Sequence, residues 1–170
     1  MKIVIDFDNT IVNTFETSKK YLDKFLPDNN LKSYHELPKE QEWYFVEHYF
    51  NDITKDLTLF DNVLNAIDFF KKNDIKVVLI TARGGHYPEI IEETKKFIEK
   101  NNIPFDEMIF SVYPKGKEAK EYELDYVIDD SIDVVNDVRN HGVNALLYGE
   151  DVKNWQEVID YFEKEVLCHE

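Results

Sequence analysis

The chain has 170 residues, enough for one domain with a real core, and its 43% apolar content with 12 Phe and 10 Tyr excludes a disordered polypeptide. A formal net charge of −15, from 35 acids against 20 bases, argues against long nucleic acid as a partner, because that binding needs cations to neutralise phosphates. No apolar run approaches the roughly 18 residues of a membrane helix, and the single Cys168 permits no disulfide framework, so no membrane partner and a reducing cytoplasm are expected.

The first expected element is a strand at 3–6 (IVID). Ile3, Val4 and Ile5 are consecutive β-branched residues, which suits a strand buried on both faces. It runs straight into DFDNT, where period-two alternation would point Asp6 and Asp8 in one direction and Phe7 in the other. Two like charges at the end of an apolar strand call for something positive between them. A helix is expected at 14–26 (TFETSKKYLDKFL), then a polar loop PDNN, then a second helical stretch PKEQEWYFVEHYFND over 38–52. This first crossover is too long for one helix. Residues 13–60 therefore read as a small helical cap inserted after the first strand, with the core domain formed by 1–12 and 61–170.

Helix and strand then alternate. Helical patterns at 61–73, 87–101, 116–122, 131–140 and 152–166 separate strands at 76–81 (KVVLIT), 107–112 (EMIFSV), 125–129 (DYVID) and 144–148 (NALLY). Asp61 and Ser131 are expected N-caps, and His141-Gly142 an expected C-terminal stop. The pattern predicts an α/β, Rossmann-like fold: a five-stranded parallel sheet with right-handed crossovers and helices on both faces.

In a parallel sheet the strand ends share one edge, and ligands bind beyond it. That edge would gather Asp6, Asp8, Thr81, Ala82, Arg83, Asp129 and Asp130, with Lys115, Lys117 and Lys120 from a short helix nearby. Several carboxylates at one point require a cation, and hard oxygen donors select Mg2+. A carboxylate beside such an ion can act as a nucleophile on phosphorus, while a second acid two residues on can pass a proton. His35, His48 and His86 show no metal-ligand spacing, and there is no GxGxxG or P-loop.

Taken together, DFDNT, the threonine of LITAR, a lysine before the fourth strand and the acidic pair of VIDDS resemble the four motifs of the haloacid dehalogenase-like (HAD) phosphohydrolase superfamily, in order, over residues 6–130. The resemblance implies Asp6 as nucleophile and metal ligand, and Asp8 as general acid/base lending its backbone carbonyl to Mg2+. It implies Thr81 on the transferring phosphoryl group, Asp129 as principal metal ligand, and Asp130 orienting the lysine or a metal water. The phosphate-binding lysine is Lys115 or Lys117, with Lys115 favoured, and Asp133 is a further candidate near the acidic pair. An acid at position 8 matches the phosphatase pattern within this superfamily. The small cap and the TAR turn look most like the 5'(3')-deoxyribonucleotidase-type branch. That branch implies a nucleoside monophosphate as the small-molecule phosphate ester, with cap aromatics such as Phe15 and Trp43 holding the base. Ala82 and Arg83 follow Thr81 in a glycine-rich turn, where Arg83 is either a grip on substrate phosphate or a solvated loop arginine. A sugar phosphate, a nucleic-acid end, or an inactive binding protein on the same fold are the alternatives. A receiver domain carries similar residues in the wrong order.

Overall fold

The computed structural model describes residues 1–169. Its strands are β1 (Lys2–Ile5), β2 (Lys76–Ile80), β3 (Glu107–Ile109), β4 (Tyr126–Asp129) and β5 (Asn144–Leu147). They form one sheet in the order β3-β2-β1-β4-β5, with every pair parallel. Alternate residues feed two cores: Ile3, Ile5, Val77, Leu79 and Ile128 enter one, while Val4, Val78, Ile80 and Val127 enter the other. Burial on both faces is why β1 is a β-branched run and does not alternate with polar residues.

The helices are α1 (Thr14–Phe25), α2 (Lys39–Asp56), α3 (Val63–Lys72), α4 (Ile90–Lys100), α5 (Gly116–Glu121), α6 (Ile132–Asn140) and α7 (Trp155–Tyr161). Helices α3 and α7 supply Ile67, Phe70, Trp155 and Val158 to the first core; α5 and α6 supply Ala119, Val134 and Val138 to the second. The expected α/β architecture is therefore present. Helices α1 and α2 follow β1 and pack on each other through rings. Phe45 lies against Tyr34, Tyr49 and Phe25, with centroids 5.3–5.7 Å apart. Most of the aromatics between residues 13 and 60 are thus consumed in a local core.

Several boundaries differ from the sequence expectation, each for a local reason. Strand β3 stops at Ile109 because Ser111 turns to a φ of 64° and donates its N–H to the carbonyl of Arg83 at 2.9 Å. Asn62, at φ 65°, precedes α3 without a side-chain cap, so Asp61 is not the N-cap. Ser131 does cap α6, and Gly142 follows its end at φ 82°. The C-terminal helix starts later than expected, where Asn154 accepts from Glu157 N–H at 3.0 Å, and beyond Tyr161 it widens into a π turn over Phe162–Val166. Among the described residues, no helix is long and apolar enough to cross a membrane.

Candidate active site

Register decides which strand-end residues meet. Ile5 pairs with Ile128 across β1 and β4, so Asp6 stands level with Asp129. Ile5 also pairs with Leu79, which places Thr81 one residue beyond Asp6 on the other side. Asp6 and Asp129 continue the alternation of Val4 and Val127, and both lean toward the face covered by α5 and α6. There they meet Lys115, the residue just before α5. Its buried Nζ donates to Asp6 Oδ1 and, at 2.7 Å, to Asp129 Oδ2. Gly116 seats that lysine: its N–H donates to Asp137 Oδ2 at 2.6 Å, and a Cβ at this position would collide with Asp137 and His141.

Asp130 adds a third carboxylate, and oxygens of Asp6, Asp129 and Asp130 lie within 4.8 Å of one another. One ammonium cannot neutralise three carboxylates. Burial first, then the charges of Asp129 and Asp8, push the pKa of Asp6 well above the ordinary carboxylate range, against the pull of Lys115. Burial and the same carboxylates push Asp130 up to about 7. For Lys115, burial lowers the pKa but Asp6 and Asp129 outweigh it, so the ammonium is the charged partner. An all-oxygen donor set with surplus negative charge fits a hard divalent cation such as Mg2+.

Asp8 lies in a different setting. Arg83 Nε donates to its Oδ2 at 2.8 Å and Nη2 to its Oδ1 at 2.6 Å, and Thr14 Oγ1 donates to Oδ1 at 2.6 Å. Burial raises the pKa of Asp8, but the charge and hydrogen bonds of Arg83, joined by Thr14, outweigh it and hold the carboxyl below its usual range. The side chain keeps 29% exposure, so one edge still reaches solvent.

The other candidates divide cleanly. Thr81 is buried, and its Oγ1 accepts from Arg83 N–H at 3.3 Å; Ala82 is exposed. Arg83, expected either to grip substrate phosphate or to lie solvated in its loop, is 5% exposed with its guanidinium turned inward. Lys117 is exposed and faces Glu121 of its own helix at 3.7 Å, which leaves Lys115 as the lysine at the carboxylates. Lys120 and Asp133 are exposed. Phe15 is half-exposed, and its N–H donates to Asn9 Oδ1 at 2.7 Å, tethering it to the loop that carries Asp8. Trp43 is 61% exposed on α2. His86 and His48 are exposed, while His35 bonds Glu42.

Thr14, Thr54, Thr94 and Asp137 had not been singled out from sequence. The usable signal for two of them was a threonine inside an apolar stripe: Thr94 among Ile90, Phe97 and Ile98, and Thr54 among Phe50, Ile53 and Leu57.

No protein-family model matches the chain, and no curated protein matches it. Solved structures do. A HAD-superfamily hydrolase from Ehrlichia chaffeensis is 17% identical, with 96% of each chain covered and a TM-score of 0.63. A predicted phosphatase from Clostridium acetobutylicum is 14% identical, covering 96% of this chain and 98% of that one at a TM-score of 0.64. CbbY from Rhodobacter sphaeroides, solved with xylulose-(1,5)bisphosphate, is 12% identical, covering 91% and 94% at 0.62. The chain shares the fold of these three structures, a HAD-superfamily hydrolase among them, over nearly its whole length.

Proposed function

We propose that the chain is a Mg2+-dependent phosphomonoesterase of HAD type that hydrolyses a nucleoside monophosphate. The observation that carries the reading is the buried strand-end cluster: Asp6 and Asp129 bridged by Lys115, with Asp130 beside them. Asp6, Asp129 and the backbone carbonyl of Asp8 would hold Mg2+, which when bound supplies charge neutralisation for an incoming phosphate dianion. Asp6 attacks phosphorus, the phosphorus–ester oxygen bond breaks, and the proton of the Asp8 carboxyl passes to the leaving oxygen. Asp8, now a carboxylate, takes a proton from the water that attacks the aspartyl phosphate, releasing phosphate and regenerating Asp6. The pairing with Arg83 keeps Asp8 ionised; a bound phosphate dianion raises its proton affinity for the first step. Thr81 and Lys115 bind the phosphoryl oxygens in this scheme.

Residues 13–60 would form the lid over this edge. Phe15, exposed and tethered beside Asp8, suits a base-stacking role, with Trp43 contributing from α2. The net charge of −15 and the free, exposed Cys168 fit a cytoplasmic enzyme of small substrates, not one of long nucleic acid. A second reading, a sugar phosphate, is favoured by the neighbour solved with xylulose-(1,5)bisphosphate. A panel of nucleoside 5'- and 3'-monophosphates, sugar phosphates and a 3'-phosphorylated oligonucleotide, assayed for phosphate release with Mg2+ and with EDTA, tests both. Highest kcat/KM on a nucleotide is expected. Absence of EDTA-sensitive turnover across the panel would refute the enzyme reading.

A further inference from the structure

We propose that Arg83 is the positioning residue for Asp8, and that it makes the placement of that carboxylate depend on the seating of α2 against the core. The inference rests on the reading of Asp8 as proton donor and acceptor. The guanidinium fork engages both Asp8 oxygens, at 2.8 and 2.6 Å, while Nη1 on its other side donates to Thr54 Oγ1 at 2.9 Å and Thr94 Oγ1 at 3.1 Å. Those four bonds occupy four of the five N–H donors an arginine has. The rings of Phe7 and Phe50 lie 4.5 and 5.4 Å from its Cζ.

Each threonine hydroxyl is already oriented. Thr54 Oγ1 donates to Phe50 O at 2.8 Å, and Thr94 Oγ1 donates to Ile90 O at 2.7 Å, so both present a lone pair to Nη1. A bidentate fork fixes a carboxylate in plane as well as in place, which a point-charge lysine cannot do. Two of the supports, Thr54 and Phe50, belong to α2, and Thr94 belongs to α4. Lifting α2 would strip half of the scaffold from Arg83 and loosen its fork on Asp8, leaving Thr14 as the other hydrogen-bond donor to that carboxylate. The same commitments leave Arg83 facing inward, away from the role of a phosphate clamp.

Only one event of the first step depends on where Asp8 points: transfer of its proton to the ester oxygen as the phosphorus–oxygen bond breaks. An alkyl alkoxide needs that proton, whereas p-nitrophenolate leaves without it. The test compares kcat/KM, which reports steps up to departure of the leaving group, for an alkyl phosphate and for p-nitrophenyl phosphate. Wild type, Arg83→Lys, Thr54→Val, Thr54→Ser and Asp8→Asn are measured. General acid catalysis contributes about 10²–10⁴-fold, so Arg83→Lys should lose at least about 10²-fold on the alkyl ester and much less on the aryl ester. Thr54→Val should lose selectively in the same direction, with Thr54→Ser recovering the wild-type ratio. Equal losses on both esters, or none, overturn the proposal. Where Arg83→Lys fails to fold, Thr54→Val decides alone: an unchanged alkyl-to-aryl ratio overturns it. A non-selective Asp8→Asn overturns the reading of Asp8 itself and the proposal with it, whereas a selective Asp8→Asn with non-selective Arg83→Lys and Thr54→Val overturns the proposal alone.

Discussion

Asp6 and Asp8 lie two residues apart in one short segment, and their surroundings oppose each other. Around Asp6, three carboxylates crowd together, two of them bonded to one buried ammonium, and the pKa of Asp6 is pushed up. Around Asp8, one guanidinium meets one carboxylate in a fork, and the pKa is held down. The first region carries more negative charge than the protein neutralises, which suits a cation; the second is already balanced and needs only to be aimed. Like residues in near-adjacent positions thus receive different tasks from what packs against them.

Asp6→Asn should have the largest effect. Removal of a nucleophile should cost about 10³-fold or more in kcat, while the melting temperature stays level or rises, because a buried charge disfavoured by its site has been neutralised. A phosphate-release assay alongside a thermal melt checks both halves. Lys115→Met should come next. It leaves the carboxylates buried without their ammonium and should destabilise by about 3–5 kcal/mol, read from urea unfolding without Mg2+.

The two regions also differ in how stability responds to pH. Asp130, with a pKa of about 7, is raised above its unfolded value. Its contribution to stability is therefore full at low pH and fades as pH rises through 7. Added Mg2+ should reverse that loss, so the Mg2+-induced rise in melting temperature should grow between about pH 5 and 8. The rise should survive Asp8→Asn and vanish in Asp129→Asn; a pH-independent shift would contradict the assignment. The smallest effects should come from the exposed rings. Phe15→Ala or Trp43→Ala should leave stability within about 0.5 kcal/mol but raise KM for a nucleotide by roughly tenfold, given stacking worth about 1–3 kcal/mol. Phe45→Ala, in the aromatic core between α1 and α2, should instead cost about 3–5 kcal/mol of stability.

Much of the sheet was legible in advance because buried parallel strands read as short β-branched runs, and IVID, KVVLI and YVID are such runs. β3 was less legible: as an edge strand with exposed Glu107 and Met108, it ends where Ser111 turns back to Arg83, which no local pattern announces. Asp6, Thr81, Asp129 and Asp130 could be grouped from sequence because each follows or ends a strand, and parallel pairing brings such ends to one edge.

The order of strands and helices, and the presence of acids at the strand ends, followed from the sequence alone, since periodicity and local propensity act over a few residues. Which cation serves which acid did not. Lys115 and Lys117 are two positions apart and chemically identical; resemblance favours Lys115, and the structure turns it inward beside the close approach of Gly116 to Asp137. Arg83 reaches Asp8 across 75 positions and is braced by Thr54 and Thr94 from two separate helices. Those contacts depend on how the helices pack, because the direction of a long polar side chain is set by whichever buried partners satisfy it.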